Sequence, residues 1–572
     1  MNRTKLIQQI SLLNDMPAEN SAAWLLGAAD AVEFMRRDAH ADDIIIWAST
    51  EHVFIHSFLA PSEKTTPPDF DDLRGAMVFP EASWGIEHVS GGGNPDRVYL
   101  SSPLESPGCK SLVGGEKLIF NRSFDGMKDY VPQIEISQKL VHSLRLHFVS
   151  ERRAYCKLND HGDFEDIINI VQIPNGWRDR DGTVITIRAA EFYEYMTLSK
   201  MTLIRKFDFT RTSENFSHWN YDDQSECESS DLSYRYGTGP AASFCHGVQV
   251  IASPISYKDV LQRHINAREG VGRRYVPFII HDWRNKRIVE VSAAPGNLTN
   301  YFAKTQGLPF EVSPAFFRPE VLHKYKSNPE KYTIEERTIS CRGAWHLETY
   351  DINAEGQVHS YIIYLSRLPY EEQLYWRSFN EPPKGPISNR SIQTDFEGTW
   401  STEYDPLESL KRQVQALDKL APPWWIPRRD GLIRIVHKPA TDSAAEWADE
   451  IHKLDQMLVE GFQPRRLREL ITDRGGKFEQ QWQSLRLLEE MFVAGGMPPT
   501  EARALIEPLR TLHALRTPLK GHGALNERNA LAAQARTEFG SFRAHFTQLA
   551  AGCDTALKRI IEELLPGSSI AD

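Results

Sequence analysis

Residues 505–523 read LIEPLRTLHALRTPLKGHG. Leu505, Leu509, Leu512 and Leu515 recur at helical spacing, which puts them on one apolar side of an α-helix. The spacing predicts a helix that bends at Pro508 and stops near Thr517, because Pro518 has no amide hydrogen to continue it. Arg516 and His522 lie just past that apolar side, with five residues between them and a turn built from Pro518, Gly521 and Gly523. A guanidinium offers phosphate oxygens a planar fork of donors, and an imidazole titrates near neutral pH. The pair therefore suits proton transfer at a phosphodiester.

The flanking sequence is helical in the same way. Ser443 and Glu446 have capping-box spacing, and Trp447, Ile451, Leu454 and Leu458 form the stripe of the helix they open. Residues 464–471 give a second helix, and Trp482, Leu485, Leu488 and Phe492 line a third. After the break at residues 495–499 comes the helix that bears Arg516. A single long helix follows, with Leu531, Ala535, Phe539, Phe542, Phe546 and Leu549 inside. Short connections favour antiparallel neighbours, so residues 441–572 are expected to form an all-α up-and-down bundle.

An arginine, five residues and a histidine at the end of an apolar helix in an all-helical segment resemble the signature of the HEPN superfamily of helical ribonucleases. The matching residues are Arg516 and His522, and the resemblance covers only the helical C-terminal part. Thr517 departs from the family, whose members often carry Asn, Asp or His at that place. The resemblance implies a homodimer that cuts an RNA substrate without metal or cofactor. It assigns Arg516 to the scissile phosphate and His522 to proton transfer, with Lys520 adding attraction for RNA. Members occur widely in bacterial toxin and antiphage defence systems, commonly joined to a sensing domain, and the N-terminal region here would take that role for a trigger of unstated identity. The residues also fit a plainer role. Cations near a helix C-terminus are favourable in any case, so a non-catalytic bundle for dimerisation or partner docking stays open. His513, one turn before Arg516, is a reserve candidate for proton transfer.

The remaining chain is read as α+β. At 572 residues it calls for about three or four domains. Its 25% charged, 41% hydrophobic and 10% aromatic content is that of a globular protein, and a net charge of -11 argues against a broad nonspecific nucleic-acid surface. The six cysteines show no paired or zinc-finger spacing, and no run reaches the length of a membrane span. No signal peptide is read, so a cytosolic location without membrane insertion is expected.

Residues 22–37 suggest a helix, then 43–47 and 52–56 two strands. The glycine-rich residues 90–96 lack the ending of a phosphate-binding loop and read as a surface turn. Residues 153–158 and 164–173 flank the turn 159–163 as in a hairpin, followed by a strand at 183–187, a helix at 189–196 and a strand at 201–209. Asp160, Asp163, Glu165 and Asp166 lie in and after a turn, where Asp serves local hydrogen bonding better than a metal. A similar order of features recurs through residues 311–365, which suggests two related α+β modules, 1–215 and 216–380. The acidic, serine-rich residues 222–233 read as a solvated loop, and residues 282–286 as an exposed basic-tipped hairpin turn, its charges there for ordinary solvation first and for touching RNA or a protein partner only second. Residues 381–440 are read as linker and docking segment, from the prolines at 382, 383 and 386 and from Trp424 and Trp425, which suit docking on a core.

Overall fold

The run Asp43-Ile44-Ile45-Ile46-Trp47 is β-branched and apolar on both alternating sides, the pattern of a strand covered on two faces. It forms the centre of a sheet. The computed structural model describes Thr4, residues 6–8, Ile10 and residues 31–76, 82–91, 94–104, 108–122, 133–174, 181–212, 225–239, 242–302, 307–399, 404–428, 430–519 and 525–565. The chain divides into two compact units, Met1–Asn159 with Asp163–Gly272, and Asp160–Gly162 with Arg273–Asp572.

Twelve strands of the first unit share one sheet among the described residues. Its main path uses β1 (Asp43–Ser49), β2 (Phe54–Pro61), β3 (His147–Val149), β4 (Ala154–Leu158), β5 (Phe164–Ile173), β6 (Gly182–Arg188), β7 (Met201–Asp208), β8 (Ser225–Glu228), β9 (Leu232–Gly239) and β10 (Ala242–Ile251). The order is β8-β9-β10-β7-β2-β1-β6-β5-β4-β3, antiparallel at each step. Ile44 and Ile46 pack with Ile185, Ile187 and Phe192, whereas Ile45 and Ala48 pack with Ile55, Val184 and Phe207, so the sheet carries a core on each face.

Two sequence expectations change here. The boundary placed at 215/216 falls inside this sheet, because β10 pairs with β7 from Leu203↔Ile251 to Asp208↔His246. Of the loop expected at 222–233, residues 222–224 lie outside the described residues and the rest is a hairpin: β8 pairs with β9 across the bend at 229–231, and Leu232 and Ser233 are fully buried. Acidic side chains on an outer strand leave its inward positions free to be covered. The glycine-rich stretch joins the paired strands Gly85–Gly91 and Asn94–Ser101, with Gly91 at φ +100. Residues 31–38 are helical, and residues 22–30 of that expectation lie outside the described residues.

Arg205 sits at the middle of β7 with no exposure. Its guanidinium pairs with Asp38 and donates to the Ile45 carbonyl (3.0 Å), the Met35 carbonyl (3.0 Å) and Gln249 Oε1 (3.1 Å through Nε). Asp38 Oδ2 in turn accepts from the Ile45 amide at 3.1 Å. Burial outweighs these partners and pushes the Asp38 carboxyl above its ordinary value, as in a pair that fixes position more than it adds stability.

The second unit opens on β11 (Pro277–Asp282) and β12 (Arg287–Ser292), then β13 (Pro314–Phe317), β14 (Asp351–Ile352), β15 (Val358–Tyr361) and β16 (Asn380–Glu381). Their order is β12-β11-β13-β15-β14, with β16 on β13. The proline-rich residues 380–386 are therefore no linker. Asn380 Nδ2 donates to the Ile279 and Phe316 carbonyls, Gln357 Nε2 to Glu381 and the Pro382 carbonyl, and Asn353 Nδ2 to the Pro386 carbonyl. Side-chain amides supply the partners that proline cannot. The suggested repeat survives at one turn. Asn159 and Asn353 each cap the amide four residues on (3.0 and 2.8 Å), with Gly162 and Gly356 at φ +72 and +78. The strand order around the two turns differs: β5 runs between β4 and β6, and β15 between β13 and β14.

Beyond residue 405 the longer described helices of this unit are α1 (Pro406–Leu420), α2 (Ala444–Leu458), α3 (Pro464–Asp473), α4 (Ser484–Ala494), α5 (Pro499–Leu519), α6 (Leu525–Phe539) and α7 (Phe542–Leu564). A short further helix, Asp430–Ile435, precedes α2. Leu407, Leu410, Val414 and Leu417 of α1 share one core with Trp447, Ile451, Leu509, Leu512, Phe546 and Leu557. The helical body therefore begins before residue 441. Trp424 and Trp425 dock on that core, and Trp425 Nε1 donates to Asp418 at 2.8 Å. Ser443 caps α2, but Glu446 turns away from it to the Ala440 and Thr441 amides (both 2.9 Å) and to Lys326 (2.7 Å). Burial would raise this carboxyl; the Lys326 ammonium and these hydrogen bonds overcome that and hold it down to about 2. The expected last helix is two, parted at Gly540 (φ +78), with Ser541 accepting from the Ala544 amide to start α7. The helix expected to end near Thr517 runs on to Leu519, since Pro518 in a last turn forfeits only one backbone bond. No described helix is long and apolar enough to cross a membrane.

Replacing Arg205 with leucine leaves Asp38 buried without its partner and is expected to cost about 3–5 kcal/mol in chemical unfolding. The Arg205→Leu, Asp38→Leu double variant should recover most of that loss. A single-variant loss below about 1 kcal/mol would contradict this role for the pair.

Candidate functional site

Along α2 the stripe Trp447, Ile451, Leu454, Leu458 must face the core, and Asp455 stands between its last two members, four residues after Ile451. A carboxylate carried into that face has to be met by donors. Its side chain has no exposure, and α5 supplies the donors from residues three apart on one helical side. His513 Nδ1 lies 2.9 Å from Asp455 Oδ1, and Arg516 Nη1 lies 2.9 Å from Oδ2. Arg516 Nη1 also reaches Glu460 Oε1 at 2.7 Å, in the turn Val459–Gly461 that ends α2. Glu460 is approached from its other side by Arg428 at 3.7 Å.

An ionised carboxylate only accepts, so it fixes the imidazole with a proton on Nδ1. Nε2 is then the nitrogen left to exchange protons, on a side chain 49% exposed. On Arg516, 22% exposed, Nη1 takes both carboxylates, and Nε and Nη2 bond to none of the described residues. The cluster thus offers an oriented imidazole beside two unengaged guanidinium donors. It also clamps α2 to α5. Behind it lies Cys553, whose thiol is pushed up by burial and then by Asp455, and which donates to the Pro508 carbonyl within α5.

Of the residues the sequence singled out, Arg516 is in this cluster. Lys520 and His522 lie outside the described residues. His513, held in reserve, is the histidine the structure puts beside Arg516. Asp455 and Glu460 were missed, although an acid inside the stripe from Trp447 to Leu458 was a signal that a buried cation or imidazole had to face it.

A second polar cluster stands under the sheet of the same unit. Arg337 binds Asp395 in a two-point ion pair (2.7 and 2.6 Å), Arg390 binds Asp351 likewise (2.7 and 3.0 Å), and Tyr361 donates to Asp395 at 2.8 Å. His359 is fully buried there, its Nε2 accepting from the Ser388 amide at 3.1 Å. Burial pushes that imidazole down to about 4, against the pull of Asp351. A ring kept neutral and closed off cannot trade protons with a substrate, so this network pins the helix Asn389–Asp395 to the sheet. In the first unit, Glu165 and Asp166 are taken up by Arg188 (3.0 Å) and Arg152 (2.7 Å).

No protein-family model, curated protein or solved structure matches the chain.

Changing Asp455 to asparagine keeps the shape but removes the charge that holds His513 and Arg516. The expected cost is about 1–3 kcal/mol in chemical unfolding followed through the tryptophans of the helical body. A loss under about 0.5 kcal/mol would mean that the buried carboxylate is not what joins the helices.

Proposed function

We propose that the helical body is a metal-independent ribonuclease of the HEPN kind, coupled to the β-rich N-terminal region as a sensor, in a cytoplasmic toxin or antiphage-defence protein that works as a homodimer. The observation that carries this reading is the imidazole of His513 oriented by buried Asp455 beside the unengaged donors of Arg516. In this reading the guanidinium holds the scissile phosphate and stabilises the charge that builds on it. A histidine takes the proton of the attacking 2′-hydroxyl or returns one to the 5′-oxygen that leaves. The phosphorus–O2′ bond forms as the phosphorus–O5′ bond breaks, giving a 2′,3′-cyclic phosphate and a 5′-hydroxyl. No redox partner is needed. His513 is the histidine favoured by position; His522 is the one assigned by the family resemblance, with Lys520 drawing in RNA.

The second reading is a non-catalytic bundle for dimerisation or docking. It is favoured by the grip of Asp455 and Glu460 on Arg516 Nη1, which serves helix packing without any substrate.

The test is degradation of labelled RNA in chelator by the full chain and by Arg516→Ala, His513→Ala and His522→Ala. Arg516→Ala is expected to slow cutting about 10²–10³-fold, and the variant lacking the working histidine about 10²–10⁴-fold. Cutting that requires a divalent metal, or that persists with both histidines replaced, would overturn the nuclease reading. Absence of cutting by the folded wild-type protein, with RNA present and the dimer intact, favours the docking bundle.

A further inference from the structure

The hairpin β11–β12 ends in a turn whose shape is fixed from inside. Fully buried Asp282 accepts from the Arg284 and Asn285 amides (both 3.1 Å) and from Asn285 Nδ2 (2.7 Å). Trp283 packs edge-on against Phe396, with ring centres 5.1 Å apart. Arg284, Lys286 and Arg287 are thereby presented at one end of the sheet. Of the carboxylates near them in the chain, Asp282 is engaged by the turn and lies 3.6 Å from Arg287 Nε, and Glu290 on β12 is paired with Arg377 at 2.6 Å.

Residues 299–302 and 307–310 are fastened against this turn. They close where Thr299 pairs with Phe310 and the Glu311 amide donates to the Thr299 carbonyl at 2.9 Å. Asn285 Nδ2 reaches the Gly307 carbonyl at 3.3 Å, and the Arg284 guanidinium lies 5.3 Å from the Phe310 ring centre. The Phe310 ring leads on to Tyr301 (5.4 Å) and from there to Phe302 (5.7 Å). Tyr301 is 73% exposed and Phe302 91%. Arg284 Nη1 is buried yet meets no acceptor among the described residues. A donor withheld from water without a partner is costly, and two exposed rings reached from Arg284 through Phe310, at a turn that also carries Lys286 and Arg287, call for a flat, anionic occupant.

We propose that this turn, together with Tyr301 and Phe302, binds single-stranded nucleic acid, with bases stacked on the two rings and phosphates held by Arg284, Lys286 and Arg287. Stacking tolerates any base, and the cations follow the backbone without reading sequence. Duplex nucleic acid, whose bases are already stacked on each other, fits poorly. The site stands apart from the chemistry proposed for Arg516: it can bind whether or not the bundle cuts.

Binding is tested by fluorescence anisotropy of the full chain with a short labelled oligouridine and its deoxy counterpart at low salt. The deoxy strand has no 2′-hydroxyl, so its binding is read separately from any cleavage, and the two strands together show whether the sugar matters. Saturable binding of at least one strand is expected. Phe302→Ala should weaken it about tenfold and Phe302→Trp should retain it. Arg284→Ala should weaken it and flatten the dependence of log affinity on log salt by about 0.7. Phe302 is on the surface, so thermal unfolding of its variants should match wild type. Absence of binding by wild type, preference for a duplex of the same length, or affinity indifferent to Phe302→Ala and Tyr301→Ala would each overturn the proposal.

Discussion

The Asp455 carboxylate, carried into the apolar face of α2, dictates what α5 must bring against it. An ionised carboxyl with no exposure is tolerable only when both oxygens are met by donors. His513 and Arg516 meet them from one helical side, and in doing so acquire fixed orientations. Packing of α2 on α5 and the direction of the imidazole are thus one constraint. Moving either helix along its axis would strand the charge. A structural requirement of the bundle therefore produces the arrangement that acid–base chemistry at a phosphodiester would need.

The same logic recurs at the other buried charges, with different results. Arg205 ties the helix at residues 31–38 to the centre of the first sheet, and its pair with Asp38 is wholly enclosed. The ion pairs Arg337–Asp395 and Arg390–Asp351 hold a short helix against the second sheet around a neutral His359. What separates the Asp455 cluster from these is exposure on one side. Its imidazole is half in water, whereas His359 is sealed. Enclosure makes a clamp; a clamp with one open face makes a candidate site.

Much of the fold was legible wherever periodicity is local. The β-branched apolar run at residues 43–47, the 153–173 hairpin and the stripes of α2, α4 and α5 name their elements directly, because each side chain's surroundings are set by neighbours a few residues away. Pairing between distant strands leaves no such mark. Nothing near Leu232 or Ile251 announces that β9 and β10 extend the sheet of β1 and β2, and so the first unit was cut too early. Residues 380–386 misled for a related reason: prolines forbid a helix but not a short strand before them, here β16 paired with β13, nor the bonds that Asn353 and Gln357 give to the Pro386 and Pro382 carbonyls. At the site, Arg516 was legible from its residue type and helix position. Its partners on α2 were not, since the turn that faces it lies more than fifty residues away in the chain, although the acid at 455 within an apolar stripe was itself a clue.

Under the proposed function, an arginine and a histidine held in this way cut RNA through its own 2′-hydroxyl. The most direct measurement is the chemical identity of the new ends when the full chain is incubated with a defined RNA in chelator. Cutting through the 2′-hydroxyl leaves 2′,3′-cyclic phosphates and 5′-hydroxyls, absent when Arg516 is replaced. Ends bearing 3′-hydroxyls and 5′-phosphates, or RNA left whole, would contradict it.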